Sequence, residues 1–245
     1  MYLSIARLAV FGFAASALLA GTLVSALAAL ALESTEDRCT KLHVLSQQYS
    51  TAICAVAFCN YAYVYQQLWT QMPPDGCRLL DRTNDRLIID IARYVDWLVT
   101  MPLLAVKVLD MAKAAGDCSI DDGQRVLVAV LAFLMIACGV VVAAFACAPA
   151  SPDRKPDVHK VSAGLGFALG SGCLGLLLWV LYAAMPVGTV TLYVFTAVWC
   201  VYPVVFVAER APGSNQELLD CCYAVLDIMS KAVFAFFSVR ICMLA

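Results

Sequence analysis

The sequence predicts an all-α membrane protein, a single domain over residues 1–245 that forms a seven-transmembrane helix bundle. Hydrophobic residues make up 63% of the chain and charged residues only 14%, and the mean hydropathy is +0.84, well outside the range of a soluble domain. Long uncharged runs recur along the chain, with polar or proline-containing links between them. The predicted partner is the lipid bilayer, because a net charge of −2 gives no basis for nucleic-acid binding.

The first two spans differ in polarity. Leu8 to Leu32 contains no charge over 25 residues, enough to cross a hydrocarbon core of ~30 Å. A cleavable signal peptide usually has a shorter apolar core, so we expect this run to be the first helix, over 3–32. The second span, predicted over 42–72, also has no formal charge. It nevertheless carries the polar side chains Gln47, Gln48, Asn60, Gln66 and Gln67.

The remaining spans follow from charge and helix breakers. Val161 to Ala208 is uncharged for 48 residues, which is too long for one helix. Met185-Pro-Val-Gly188 breaks it into two helices joined by a short turn. The predicted third to seventh spans are 86–112, 125–148, 160–184, 186–209 and 217–241.

The third span carries a polar stripe. At 100° per residue, Arg93, Asp96, Thr100 and Lys107 fall within about 60° of one another. Such a stripe cannot face lipid, so it either lines an internal path or holds helices together as a polar seam. Asp96 and Lys107 are separated by roughly 16 Å along the axis, at 1.5 Å per residue. The stripe therefore runs from the membrane centre towards one surface, as a proton or ion path would.

The seventh span holds two ionisable groups, Asp227 and Lys231, on one face of the helix. A charged side chain there costs roughly 3 kcal/mol or more unless it is paired or functional. One reading is a structural ion pair between helices. The other is a lysine that carries a covalent cofactor, with the aspartate as its counter-ion.

Three motifs resemble those of microbial (type 1) rhodopsins. Arg93-Tyr-Val-Asp-Trp-Leu-Val-Thr-Met-Pro-Leu-Leu104 resembles their third helix, Trp199-Cys-Val-Tyr-Pro-Val-Val-Phe206 their sixth, and Leu226-Asp-Ile-Met-Ser-Lys231 their seventh. The resemblance extends to all seven spans in layout. It implies all-trans retinal bound as a covalent protonated Schiff base on Lys231. It also implies a light-driven ion transporter rather than an enzyme, assembled as a trimer or pentamer in the plasma membrane with its N-terminus outside.

The resemblance assigns roles to individual residues. Asp96 matches the primary counter-ion and proton acceptor, and Thr100 its hydroxyl partner. Asp227 supplies a second negative charge, and Arg93 balances the cluster. Leu104 matches a position where leucine accompanies green absorption. The other implied pocket residues are Tyr94, Trp97, Met135, Gly139, Trp199, Tyr202, Pro203 and Phe206.

The Asp-Thr-Lys pattern of the third helix resembles that of proton-pumping members, and we expect an outward proton pump. Pumps usually carry Asp or Glu where this chain has Lys107. A buried lysine can serve as the proton donor, and otherwise it snorkels to the surface. A light-gated ion channel and a photosensory rhodopsin are the alternatives. The gate of green-algal channels is missing, because Met101 and Ala132 occupy its Cys and Asp positions.

Three further carboxylates, Glu209, Glu217 and Asp220, match positions of proton release or are solvated loop charges. With the N-terminus outside, the outer loops hold more Lys and Arg than the inner ones, against the positive-inside rule. No metal site is predicted, because the sequence has no CxxC and its two histidines stand alone.

Overall fold

The computed structural model describes residues 2–32, 38–70, 82–114, 121–147, 156–184, 190–211 and 213–244. The first six helices are α1 (Tyr2–Leu32), α2 (Arg38–Thr70), α3 (Arg82–Ala114), α4 (Asp122–Cys147), α5 (Pro156–Ala184) and α6 (Val190–Glu209). The seventh rod joins α7 (Gln216–Asp227), a π-helical stretch (Ile228–Val233) and α8 (Phe234–Leu244). The seven-helix prediction is confirmed. The predicted break at 185–188 lies outside the described residues.

Most of the helices have the composition of membrane spans, but α2 and α3 are more polar. In the described ranges, five rods are long and apolar enough to cross a membrane: Arg7–Leu32, Asp122–Ala143, Ala163–Ala184, Leu192–Glu209 and Gln216–Val239. The other two helices, α2 and α3, carry the amide and charged side chains noted above. Several of these side chains are buried, including Gln47, Asp96 and Lys107. These three polar groups therefore point into the bundle, whereas Gln48 and Gln66 of α2 are exposed.

The helices pack in chain order, and the seventh rod closes the bundle against α1 and α6. A large apolar cluster fills the space among α3 to α7, and a smaller one lies between α1 and α2. Large apolar side chains also cover the outside, such as Phe13 at 67% exposure and Trp179 at 68%. A bundle that is apolar outside as well as inside is suited to lipid.

The seventh rod departs from regular α-helix where its lysine lies. Residues Ile228–Val233 form the π-helical stretch, and Lys231 is in its middle. Short π-helical turns occur frequently at functional sites. Upstream, Asn215 caps α7 by accepting a hydrogen bond from the Leu218 N–H, which fixes the start of the rod beside the end of α6.

Candidate functional site

A buried lysine lies between two carboxylates at the centre of the bundle. Lys231 is 2% exposed, and its Nζ forms ion pairs with Asp96 of α3 and with Asp227 of α7. The distance from Nζ to Asp227 Oδ1 is 3.1 Å. Both carboxylates are 1% exposed. The structure therefore brings together three of the residues that the sequence placed at the reaction centre.

Asp227 is held by hydrogen-bond donors from three helices. Tyr61 of α2 donates to Oδ2 at 2.7 Å, while Tyr202 of α6 and Trp97 of α3 donate to Oδ1 at 2.8 and 3.0 Å. Hydrogen bonds to a carboxylate are of the strong, charge-assisted kind. Both oxygens of Asp227 are therefore already occupied.

Asp96 is bound less completely than Asp227. Its Oδ2 pairs with Lys231, but its buried Oδ1 has no hydrogen-bond partner among the described residues. Thr100 lies one turn further along α3 and places a buried hydroxyl on the same face of the helix as Asp96. Asp96 is thus the carboxylate of the pair that fewer tyrosine and tryptophan donors hold, since three such donors bind Asp227.

An aromatic cavity adjoins this cluster. Trp97 and Tyr202 line it and also bind Asp227, so they connect the cavity to the ion cluster. The Trp199 and Tyr202 rings stack with centroids 4.6 Å apart. Leu104, by contrast, is buried in the core at 2% exposure and is not part of the lining. The predicted pocket residues that line the cavity are Tyr94, Trp97, Met135, Gly139, Trp199, Tyr202, Pro203 and Phe206.

A second cavity, of about 320 Å³, lies towards the N-terminal end of the bundle, the end where α1 begins. Both Asp96 and Asp227 border it, and Arg93 and Asp220 border it too. Asn60 and Tyr61 of α2 add polar groups to its wall. This cavity therefore connects the central carboxylates to a further set of charges.

That further set is a buried ion network. Asp220 of α7 accepts a hydrogen bond from Arg93 at 2.6 Å and forms an ion pair with Arg7 of α1. Arg93 also pairs with Asp90 at 3.2 Å and lies 3.9 Å from Glu209. Glu209 and Asp220 are 8% and 5% exposed, so they are not solvated loop charges. Glu217 lies in the first turn of α7, where its Oε2 has no hydrogen-bond partner among the described residues.

At the opposite end of the bundle, Lys107 is buried at 1% exposure. Its Nζ donates to Ser238 Oγ of α8 at 3.1 Å and lies 4.6 Å from the centroid of the Phe234 ring. The side chain therefore does not snorkel to the surface. One turn further along α3, the fully buried Asp110 pairs with Arg125 at 2.7 Å.

Comparison with known proteins identifies the chain. The sequence model of the family described as bacteriorhodopsin-like protein matches residues 10–244. The chain belongs to the bacteriorhodopsin-like family. Membership in this rhodopsin family makes it an integral, multi-pass membrane protein, with a lipid bilayer around it and ions as substrates. It also implies a retinal chromophore and a light-driven transporter or sensor rather than a conventional enzyme.

Solved rhodopsin structures share the fold. A thermophilic rhodopsin superposes with a TM-score of 0.76 at 18% identity, covering 99% of this chain and 94% of that one. Xanthorhodopsin, described as a light-driven ion pump with dual chromophore, gives 0.72 at 17% identity, with 98% and 93% covered. The rhodopsin of Exiguobacterium sibiricum gives 0.68 at 18% identity, with 97% of each chain covered. No curated protein sequence matches the chain significantly.

The residues present fit a retinal chromophore in this rhodopsin. A polyene needs an apolar space, and the cavity beside Trp97 and Tyr202 has walls of aromatic and aliphatic side chains. Its attachment needs a buried amine, and Lys231 pairs with an aspartate that accepts hydrogen bonds from two of the lining side chains. The absence of a side chain at Gly139 keeps the cavity open, because a Cβ there would lie 3.2 Å from Tyr94 Cε1.

Some site residues of this rhodopsin were missed by sequence reasoning. Five residues of α5 line the aromatic cavity: Gly166, Phe167, Gly170, Ser171 and Leu174. The motifs that carry the resemblance lie in the third, sixth and seventh spans and not in the fifth, although the four-residue spacing of Gly166 and Gly170 marks one face of that helix. Tyr61 and Arg7 were also missed. A tyrosine in a polar membrane span and an arginine near the start of α1 would have been reasonable candidates.

Proposed function

We propose that this rhodopsin is a light-driven outward proton pump in which Asp96 accepts a proton from the Lys231 nitrogen. The observation that carries the proposal is the order of groups along the bundle. Lys231 and Asp96 lie at the centre, a polar cavity and ion network lie on one side, and a buried lysine lies on the other. Retinal, when held at Lys231, supplies light absorption and the isomerisation that drives the cycle.

Asp96 is the acceptor because its environment leaves room for a proton. Its Oδ2 already contacts Lys231 Nζ, so transfer needs no intervening group. No tyrosine or tryptophan of the kind that binds Asp227 is hydrogen-bonded to Asp96 among the described residues. Protonating Asp227 instead would disturb the hydrogen bonds from Tyr61, Tyr202 and Trp97. Geometry thus favours Asp96, and Asp227 remains a fixed negative charge.

Release follows the second cavity towards the N-terminal end. Arg93 borders the same cavity as Asp96 but is paired with Asp220 and Asp90, and Glu209 is nearby. When Asp96 becomes neutral, the cavity loses a negative charge and Arg93 is drawn further towards the other carboxylates. That shift favours release of a proton from this network. With the N-terminus outside, as we propose for a plasma-membrane protein, release is outward.

Lys107 restores the proton from the opposite end. It is separated from Asp96 by roughly 16 Å of α3, at 1.5 Å per residue, and it is buried. A donor on one side and an acceptor on the other give transport its direction.

We further propose that the protein forms a homo-oligomer, a trimer or pentamer.

The test of pumping is electrical. Under voltage clamp, illumination of membranes holding the pigment should give an outward current at all potentials, and a lightly buffered cell suspension should acidify. A protonophore should abolish the acidification. A photocurrent that reverses at an ion's equilibrium potential would show a channel instead, and a slow photocycle without sustained current would show a sensor.

Replacing Lys107 with methionine should slow the return of the proton to the Lys231 nitrogen. Without an internal donor, the proton must come from bulk water, and its rate should fall about tenfold for each unit rise in pH. The wild-type rate should vary little with pH over the same range. Flash spectroscopy of purified pigment at pH 6 to 9 measures both. An unchanged rate and a flat pH profile in Lys107→Met would remove the donor role.

Narrowing the aromatic cavity should reduce pigment formation. Gly139→Val adds a side chain whose Cβ lies 3.2 Å from Tyr94 Cε1, and crowding of this kind costs about 1–3 kcal/mol. Retinal titration of the variant should show pigment yield several-fold below wild type. Gly172→Val is the matched control, because a Cβ at Gly172 has no atom within 4 Å. Equal loss in both variants would point to a general helix effect.

A further inference from the structure

Ser238 of α8 is fully buried, and its hydroxyl contacts side chains of two other helices, α2 and α3. Its Oγ accepts a hydrogen bond from Lys107 Nζ of α3 at 3.1 Å. From α2, Gln47 Nε2 donates to it at 3.5 Å, and Ser50 Oγ lies 3.4 Å away. Ser238 and Ser50 have 0% and 1% exposure.

Towards Lys107, the Ser238 hydroxyl can act only as a hydrogen-bond acceptor. A serine has one O–H and two lone pairs. Its shortest contact is to the Ala235 carbonyl in its own helix, at 2.8 Å, which uses the O–H. The two lone pairs are then left for the Lys107 and Gln47 N–H groups. A lysine can donate such a bond both as ammonium and as neutral amine, so the bond persists after the proton has left.

An aromatic ring beside the Lys107 amine makes the bond to Ser238 more important. The Phe234 ring lies on one side of the amine, with its centroid 4.6 Å from Nζ. An aromatic face attracts an ammonium but offers a neutral amine little. Ser238 is therefore a contact that can hold the amine in both charge states, and Gln47 and Ser50 of α2 in turn contact Ser238.

We propose that Ser238 is a positioning residue for proton return: it holds the Lys107 amine in line for transfer towards the Lys231 nitrogen. This inference rests on the proposed donor role of Lys107. Ser238 lies seven residues beyond Lys231 in the seventh rod, roughly 10 Å along the axis. It thus ties the donor on α3 to the same rod that carries the lysine to be reprotonated.

Ser238→Ala is the central variant. We expect the return of the proton to the Lys231 nitrogen to slow about tenfold, the effect of losing one hydrogen bond to a charged group. Ser25→Ala is the matched control, since Ser25 is also fully buried in a helix but its hydroxyl lacks a hydrogen-bond partner among the described residues. Ser238→Cys keeps the volume and loses most of the acceptor strength, so it should slow the step like alanine. Normal kinetics in Ser238→Cys beside slow kinetics in Ser238→Ala would indicate a packing effect and overturn the proposal.

A double mutant separates positioning from general structure. In a Lys107→Met background, Ser238→Ala should cause no further slowing, because the group it positions is gone. Additive slowing would overturn the proposal. If Lys107→Met alone changes nothing, the donor role has failed, and this inference fails with it. If Lys107→Met slows the step but Ser238→Ala does not, only the positioning role has failed.

A second readout needs neither light nor retinal. In the retinal-free protein with lysine labelled at ¹⁵Nζ, the resonance of Lys107 is assigned by its loss in Lys107→Met. Ser238→Ala should shift that resonance, and Ser25→Ala should leave it in place. An unshifted Lys107 signal in Ser238→Ala would show that the hydroxyl does not bind the amine.

Discussion

Lys231→Ala is expected to give a colourless protein that no longer binds retinal covalently. The substitution removes the amine at the centre of the bundle and leaves Asp96 and Asp227 buried without their cation. Breaking a buried ion pair costs about 3–5 kcal/mol, so the unfolding temperature should fall as well. Absorption spectra after addition of retinal, and borohydride trapping followed by denaturation, measure attachment.

Two matched variants separate the effect of the Lys231 charge from the effect of covalent retinal attachment. Lys231→Arg keeps a positive charge between the two carboxylates but cannot form the same covalent link, so it should be colourless yet more stable than Lys231→Ala. Lys107→Met removes the other buried lysine of the described ranges and should stay coloured. Covalent retinal in Lys231→Ala would refute both the attachment site and the mechanism built on it.

Asp96→Asn is expected to stop light-driven proton transfer and to shift the absorption to longer wavelength. The amide cannot take the proton from the Lys231 nitrogen, and loss of a positioned proton acceptor lowers a rate by about 10²–10⁴-fold. Removing one of two negative charges beside the chromophore's positive end lets that charge spread, which lowers the excitation energy. Light-induced pH changes in vesicles and the dark absorption maximum are the two measurements.

Asp227→Asn is the informative comparison for that experiment. It removes the other carboxylate of the pair and disturbs the hydrogen bonds from Tyr61, Tyr202 and Trp97. We expect lower pigment yield and lower thermal stability, with proton transfer to Asp96 retained in the pigment that forms. Retained transfer in Asp96→Asn together with its loss in Asp227→Asn would exchange the two roles.

The parts of the site that could be predicted from sequence are those set by helical periodicity and charge balance. Asp227 and Lys231 are one turn apart on any helix, and a membrane-buried lysine needs carboxylates nearby. The stripe on α3 placed Asp96 on an inward face. The aromatic lining followed from the motifs of α3 and α6, since those side chains lie on the faces that the motifs fix.

Contacts that depend on the relative height and rotation of helices could not be predicted. Arg7 and Asp220 are 213 residues apart, and Lys107 and Ser238 are 131 apart. In neither case does the local sequence indicate which distant residue the side chain will contact. Arg93 shows that even the residues of one helical stripe can have partners that the stripe does not predict. It shares a face with Asp96, but its long side chain reaches Asp220 and Asp90, so its ion pairs belong to the N-terminal end.

The π-helical stretch at Ile228–Val233 also sets the rotation, about the helix axis, of every residue that follows it in the seventh rod. Each of its hydrogen-bonded turns contains one residue more than an α-helical turn, and one residue corresponds to 100° of rotation. Deleting a single residue between Lys231 and Phe234 would therefore do more than shorten the rod. It would turn Phe234 and Ser238 by about a quarter of a revolution relative to Lys231, and carry both away from Lys107. The irregular turn works as a spacer that allows one rod to carry Lys231 at the centre of the bundle and to contact Lys107 nearer one end.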